Sequence, residues 1–269
     1  MAQDEAYQKA ERRIEATRQQ GATELDLSGI GLTEVPEMIA SLTQLQTLYL
    51  SSNELTEFPE AIVSLSQLQE LDLAANQLTA LPEAVSTLTQ LYWLDLSKNK
   101  FTLFPEAIAS LTQLQELDLA ANQLAALPEM IGSLTWLHSL NLTHNQLTAL
   151  PESLSTLTYL QELGLGYEIG GNPLLEFPTC IRQLKQLRRL FAYRCQLGFL
   201  PDWIGELTNL QRLELKFNNL TNLPASLGEC VQLNKLELDN NPLDPDLAAA
   251  YKRGTEAVVR YLSKRSSSS

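Results

Sequence analysis

The chain has 269 residues, a formal net charge of -13 and an isoelectric point near 4.6, a balance that excludes a general phosphate-backbone binder. Three widely spaced cysteines make no disulfide framework, and no run of 18 apolar residues could span a bilayer. The charged N-terminus, MAQDEAYQKAERR, lacks the apolar centre of a secretory signal, so a cytoplasmic, reduced location is the expectation.

Residues 4–19, DEAYQKAERRIEATRQ, are rich in helix formers and lack Gly and Pro. Tyr7, Ala10 and Ile14 recur at helical spacing, and Gly21 is placed to end the segment. A helix over 1–21 is therefore expected to cap a repeat array beginning at Ala22. From Leu45 the chain reads LQTLYLSSNELTEFPEAIVSLSQ, LQELDLAANQLTALPEAVSTLTQ, LYWLDLSKNKFTLFPEAIASLTQ and LQELDLAANQLAALPEMIGSLTW, each block starting 23 residues after the last. A degenerate block from Ala22 precedes them. Later blocks start at Leu137, Leu160, Leu187, Leu210 and, truncated, Leu233, so about ten fill 22–243. The seventh, Leu160 to Gln186, has four extra residues after Leu165, in GYEIGGN. The eighth departs most, with Ala192 in place of a Leu and Cys195 in place of the Asn.

Within a block, Leu at positions 4 and 6 alternates with polar positions 3, 5 and 7, which is strand period with one face buried. Blocks so spaced predict a parallel sheet whose strands lie about 4.8 Å apart. The Asn column (Asn53, Asn76, Asn99, Asn122, Asn145, Asn172, Asn218 and Asn241) falls where the chain turns inward, where a buried amide can satisfy otherwise orphaned backbone groups. Pro and then Glu recur further on, as in Pro59-Glu60 and Pro82-Glu83. Pro at the first helical position and Glu in the first turn predict a short convex helix. From Asp244 the period is lost, and 244–263 reads as a helical cap with Leu247, Tyr251, Val258, Val259 and Leu262 on its apolar side and Gly254 as a weak point. Residues 264–269 read as a tail or linker, with the serine run from Ser266 its flexible end.

The pattern L-x-x-L-x-L-x-x-N-x-L at this period resembles the leucine-rich repeat. The fold class implied is α/β: a leucine-rich-repeat solenoid (horseshoe) with a parallel concave β-sheet, short convex helices, and helical N- and C-terminal caps. The 23-residue LPxxIxxLxxL form is similar to the intracellular Ras-group class. The lead-in AERRIEATRQQGATELDLSGIGLTEVPE and the exit NNPLDPDLAAAYKRGTEAVVRYL resemble the repeat domains of bacterial, especially cyanobacterial, Roco proteins. In that family the repeats precede a Ras-like GTPase and a dimerising domain, which implies a recognition or regulatory portion. No GxxxxGK[ST] motif occurs here, so the resemblance carries over no nucleotide-binding residue.

On the free face, position 3 runs Glu24, Thr47, Glu70, Trp93, Glu116, Ser139, Glu162, Arg189, Arg212, Lys235, and position 5 includes Tyr49, Asp72, Asp95, Asp118 and Phe191. The acidic column is expected to be solvated carboxylates, since a flat column does not converge oxygens on a cation. The eighth block sets Arg188, Arg189, Phe191, Tyr193 and Arg194 together, beside the insertion that carries Tyr167 and one block before Arg212. Tyr, Phe and Arg are the usual interface anchors, so these residues are the candidate protein-binding site; drift in a tolerant repeat is the alternative. The longer loop is expected to rise over the rim. A second candidate is Tyr49, Tyr92 and Trp93, where aromatics interrupt polar columns.

Enzyme readings do poorly. His138 and His144 flank a strand and read as a solvated pair, while Cys195 and Cys230 sit at core positions as packing thiols. No cofactor or metal site is indicated. The expected function is non-catalytic binding of a protein partner, or of a neighbouring domain if the chain is the regulatory scaffold of a larger Roco-type protein. A targeting role in a bacterial effector would need an appended catalytic domain. Nucleic acid is not an expected partner.

Overall fold

A computed structural model describes residues 2–168 and 170–266. Ile169 of the insertion and residues 267–269 of the expected tail lie outside the described residues. The chain divides into two units, Met1–Leu124 and Ala125–Ser269.

In the first unit, α1 (Ala2–Gln20) leads into β1 (Glu24–Asp26), β2 (Thr47–Tyr49), β3 (Glu70–Asp72), β4 (Trp93–Asp95) and β5 (Glu116–Asp118), which pair in sequence order. All pairs are parallel, and the register follows the block length: Glu24 faces Thr47, then Glu70, Trp93 and Glu116. Because strand side chains alternate, Leu25, Leu48, Leu71, Leu94 and Leu117 all point into the core, and the residues on either side point out. The capping helix buries Ala6, Ala10, Ile14 and Thr17. Tyr7, expected on that face, is only half-buried. Small side chains let the helix approach the end of the array closely, and a Tyr in the seam would hold it off. Arg13 Nη1 donates to the Asp26 carbonyl at 2.7 Å, sealing an acceptor on the edge strand.

The second unit holds β6 (Ser139–Asn141), β7 (Glu162–Tyr167), β8 (Gly170–Gly171), β9 (Arg189–Ala192), β10 (Arg212–Glu214) and β11 (Lys235–Glu237). The parallel order is β6-β7-β9-β10-β11, with β8 folded back antiparallel onto β7. Asp244 caps α2 (Pro245–Tyr251) by accepting from Leu247 N at 2.8 Å. The terminal helix breaks at Gly254, φ 97°, and resumes as α3 (Thr255–Ser266). Its hydroxyls close the last edge: Leu236 N donates to Thr255 Oγ1 and Leu238 N to Tyr251 Oη, each at 3.0 Å.

Between successive strands of each unit lie five-residue helices such as Glu60–Ser64 and Thr179–Gln183. These are 3₁₀ turns: Ile62 N donates to the Pro59 carbonyl and Leu65 N to the Ile62 carbonyl, each a three-residue step. Proline is therefore not the first helical residue as expected. Pro59 is extended, φ -71° and ψ 102°, and stands one place earlier, where its carbonyl accepts the first bond. Ile62 and Leu65 return to the core, fully buried.

The Asn column does what its position predicts. Asn99 Oδ1 accepts from Leu78 N at 3.0 Å while Nδ2 donates to the Leu73 and Leu96 carbonyls at 2.9 and 3.0 Å, joining two blocks. The residue before each Asn is left-handed in most blocks, from Ser52 (φ 57°) through Lys98 (54°) to Arg194 (52°, before Cys195) and Phe217 (56°). That twist turns the Asn inward and costs roughly 1–2 kcal/mol per non-glycine residue. Cys195 survives without the amide because Asn172 Nδ2 already reaches the Leu165 carbonyl at 2.7 Å, and Asn218 Oδ1 accepts from both Cys195 N and Leu197 N at 3.0 Å.

Candidate functional site

The four added residues make a built hairpin. Gly166 faces Gly171 and Tyr167 faces Gly170 across β7 and β8, and β7 slips register against β9 at Gly164 and Gly166. Glycine is required by close approach: a Cβ on Gly166 would sit 1.9 Å from the Tyr193 carbonyl oxygen, and one on Gly171 2.1 Å from the same atom. Tyr193 N in turn donates to the Gly166 carbonyl at 3.2 Å. The longer loop is thus a hairpin clamped to the backbone of the eighth block.

This clamp sets the candidate residues into two stacks. In the first, Tyr167 meets Phe191 edge to face with ring centres 5.5 Å apart, and the Arg212 guanidinium lies 5.2 Å from the Phe191 ring. In the second, Tyr193 and Phe217 have centres 5.0 Å apart, with the Arg194 guanidinium 5.5 Å from one and 4.8 Å from the other. Both are cation–π distances. Tyr167 and Phe217 are about two-fifths exposed, 40% and 39%. Phe217 is not among the residues expected from sequence. Its signal lies there nonetheless, since it stands 23 residues after Arg194 in a column otherwise filled by small or polar side chains.

The charges around the stacks are largely spoken for. Arg189 pairs with Glu162, Arg212 with the buried Glu214, Lys216 with Glu237, and Lys235 with Glu237 at 3.2 Å. The Glu214 pairing raises the Arg212 pKa, and the hydrogen bond from Lys216 to Glu237 raises that of Lys216. Arg188 and Arg194 have no carboxylate partner among the described residues. Residues 1–124 carry 18 acidic and 6 basic side chains and residues 125–269 carry 14 and 13, so the second unit holds most of the chain's cations.

The second candidate group does not form a cluster. Tyr49 and Trp93 lie on β2 and β4 with β3 between them, both half-buried, and no ring contact joins them among the described residues. Tyr92 donates its hydroxyl to Glu70, which raises its pKa.

The acidic column is more structural than solvated, which corrects the expectation. Asp72, Asp95 and Asp118 line up across β3–β5, and their Oδ1 atoms accept from Ala74 N, Ser97 N and Ala120 N at 2.9, 2.7 and 2.8 Å. Burial pushes the Asp95 pKa up against the lowering effect of those Ser97 hydrogen bonds. His138 also differs from expectation: it is half-buried, its Nδ1 has no hydrogen-bond partner, and its ring lies 6.3 Å from Tyr159. His144 is exposed and abuts Gly170, where a Cβ would come 2.4 Å from Nδ1. The thiols are packing groups. Cys180, Cys195 and Cys230 are buried, and burial pushes their pKa values up to about 12, 12 and 11, far from nucleophilic.

A further aromatic pair escapes the sequence pattern. Trp136 and Tyr159 stack with ring centres 5.5 Å apart and planes within 3°, each about half exposed. They replace the Gln that ends the preceding blocks, and that replacement is the signal.

Among the described residues no helix is long and apolar enough to cross a membrane. A family model described as a leucine-rich repeat region matches residues 76–190 and again 128–264, and another, leucine rich repeat, matches 20–78. No curated protein sequence matches the chain. Among solved structures, a leucine-rich-repeat protein of Leptospira interrogans is similar at 28% identity and TM-score 0.55, covering 89% of this chain and 83% of its own. The plant peptide hormone receptor RGFR1, in complex with RGF2, is similar at 26% identity and TM-score 0.63 over 84% of this chain and 42% of the receptor. The Arabidopsis receptor kinase HAESA, at 24% identity and TM-score 0.65 over 84% of this chain and 47% of its own, shares the fold. The matched models span well over half of the sequence, and the chain belongs to the leucine-rich-repeat family.

Proposed function

We propose that the chain is a non-catalytic, cytoplasmic module that binds a protein partner on the sheet face of residues 125–269. The observation that carries this reading is the pair of arginine–aromatic stacks, Tyr167–Phe191–Arg212 on the strands β7, β9 and β10 and Tyr193–Phe217–Arg194 on the turns that follow β9 and β10. Aromatic and arginine side chains dominate interface energetics, and here they are held by one another before any partner arrives, which lowers the entropy cost of binding. The drifted eighth block is thus read as specialised. RGFR1, seen in complex with RGF2, supports the use of such an array for recognition.

The test is substitution of Phe191, Tyr193 and Arg194 together by Ala. Affinity for a captured partner, measured by calorimetry, is expected to fall at least about tenfold, as hot-spot losses do, while circular dichroism and the melting profile keep the folded form. Unchanged affinity would remove the site assignment.

A second reading rests on the flanks. The lead-in through Glu37 and the exit from Asn240 resemble Roco repeat domains, which supports a regulatory role beside a GTPase domain in a longer protein. A genomic reading frame that continues into a GxxxxGK[ST] motif would favour it; one that does not would count against it.

A further inference from the structure

We infer that the partner presents an internal acidic side chain next to an apolar or aromatic one, and that Arg194 is the residue that reads the carboxylate. This rests on the binding face proposed above and adds the chemistry of what it takes. Four cations on the face, Arg189, Arg212, Lys216 and Lys235, already have carboxylates. Arg194 differs in that it is exposed, has no carboxylate partner among the described residues, and yet is not free to wander. Its guanidinium lies between 4.8 and 5.5 Å from two ring centres, and its backbone N donates to the Lys216 carbonyl at 3.0 Å.

A planar guanidinium can lie over aromatic rings and still offer its N–H fork, which matches a carboxylate bidentately. The stack also removes much of the side-chain entropy that binding would otherwise cost. The apolar half of the ligand is set by the ring beside the guanidinium: Phe217 lies 4.8 Å from it and is about two-fifths exposed. An arginine with no carboxylate partner among the described residues, held over aromatic rings, is charge-complementary to an acidic side chain. An internal side chain is the source assigned, because Arg194 is exposed at a turn, where a ligand's chain can run on past its carboxylate, and Phe217 beside it takes the neighbouring apolar side chain.

The experiment uses the full chain and a random-peptide display library in which the peptides are internal inserts, so that no free terminus is offered. Selection runs on the wild type and in parallel on a Phe191→Ala/Tyr193→Ala variant. The enriched sequences are expected to depend on the intact face and to carry Asp or Glu beside Phe, Tyr, Leu or Met. The leading sequence, made as a terminally blocked peptide, is expected to bind about tenfold more tightly than its Asn or Gln twin. Arg194→Gln is expected to abolish that difference, and Arg194→Lys, which keeps the charge and loses the planar fork, to leave an intermediate one. Face-dependent sequences without an acidic residue, or discrimination that survives Arg194→Gln in a variant with a normal melting profile, would overturn the inference and leave the binding face standing. If the leading peptide, also made with a free C-terminus, binds only in that form and not when blocked, the inference is overturned as well. Selection of nothing that depends on the face would overturn both.

Discussion

At the scale of single residues, several polar positions that look functional hold the backbone together. Asp95 is the clearest case. Its carboxylate accepts from Ser97 N at 2.7 Å, stands in register between Asp72 and Asp118, and has its pKa pushed up by burial. A carboxyl whose folded pKa is raised binds more protons folded than unfolded, so stability falls as pH rises from the ordinary carboxylate range through the raised value. Asn141 fills the same position in β6, and its Oδ1 accepts from Thr143 N at 3.1 Å without a charge. Asp95→Asn is therefore expected to stabilise the chain at neutral pH by up to about 1 kcal/mol, the scale of one cross-strand charge pair, with the gain lost in acid where Asp95 is protonated. Urea unfolding at neutral and at acid pH checks this; a loss of stability at neutral pH would show that the charge is needed. The block pattern alone places this column and its register. That each carboxylate caps an N–H two residues on is not legible there, because the bond depends on the turn after the strand.

At the scale of elements, block spacing makes the strands, the register and the Asn ladder legible, since the same Leu positions and the same Asn position recur every 23 residues and admit a single stacking. The helices are legible in place but not in type: Pro59 and its counterparts stand just before a 3₁₀ turn, a distinction that rests on backbone closure and not on residue type. The insertion is legible only as a departure. Its conformation is decided by contacts to Tyr193 and Arg194, distant in sequence, and by glycines that leave room for those backbones. Gly166→Ala is accordingly expected to cost roughly 1–3 kcal/mol, as overpacking does, and to disturb both arginine–aromatic stacks. Gly198→Ala, with nothing within 4 Å of the added methyl, is the neutral control. Chemical denaturation of the two variants compares them directly. Equal stabilities would mean that the hairpin is not clamped as described.

At the scale of the whole molecule, the two units present different chemistry. Residues 1–124 repeat with little drift and carry a large acidic excess, while residues 125–269 hold nearly balanced charge, the insertion and both stacks. Both units are sealed where their outer strands end, by Arg13 at one and by Thr255 and Tyr251 at the other. Strand addition at those points is thereby opposed. On the proposed reading, the regular blocks give rigidity and the irregular ones give specificity. The most direct measurement places a photoreactive benzoylphenylalanine at Phe217 and, separately, at Tyr49, and cross-links each full-length variant to its partner. Adducts through position 217 and none through position 49 are the predicted result. Adducts through position 49 with none through 217 would contradict the assignment of the binding face.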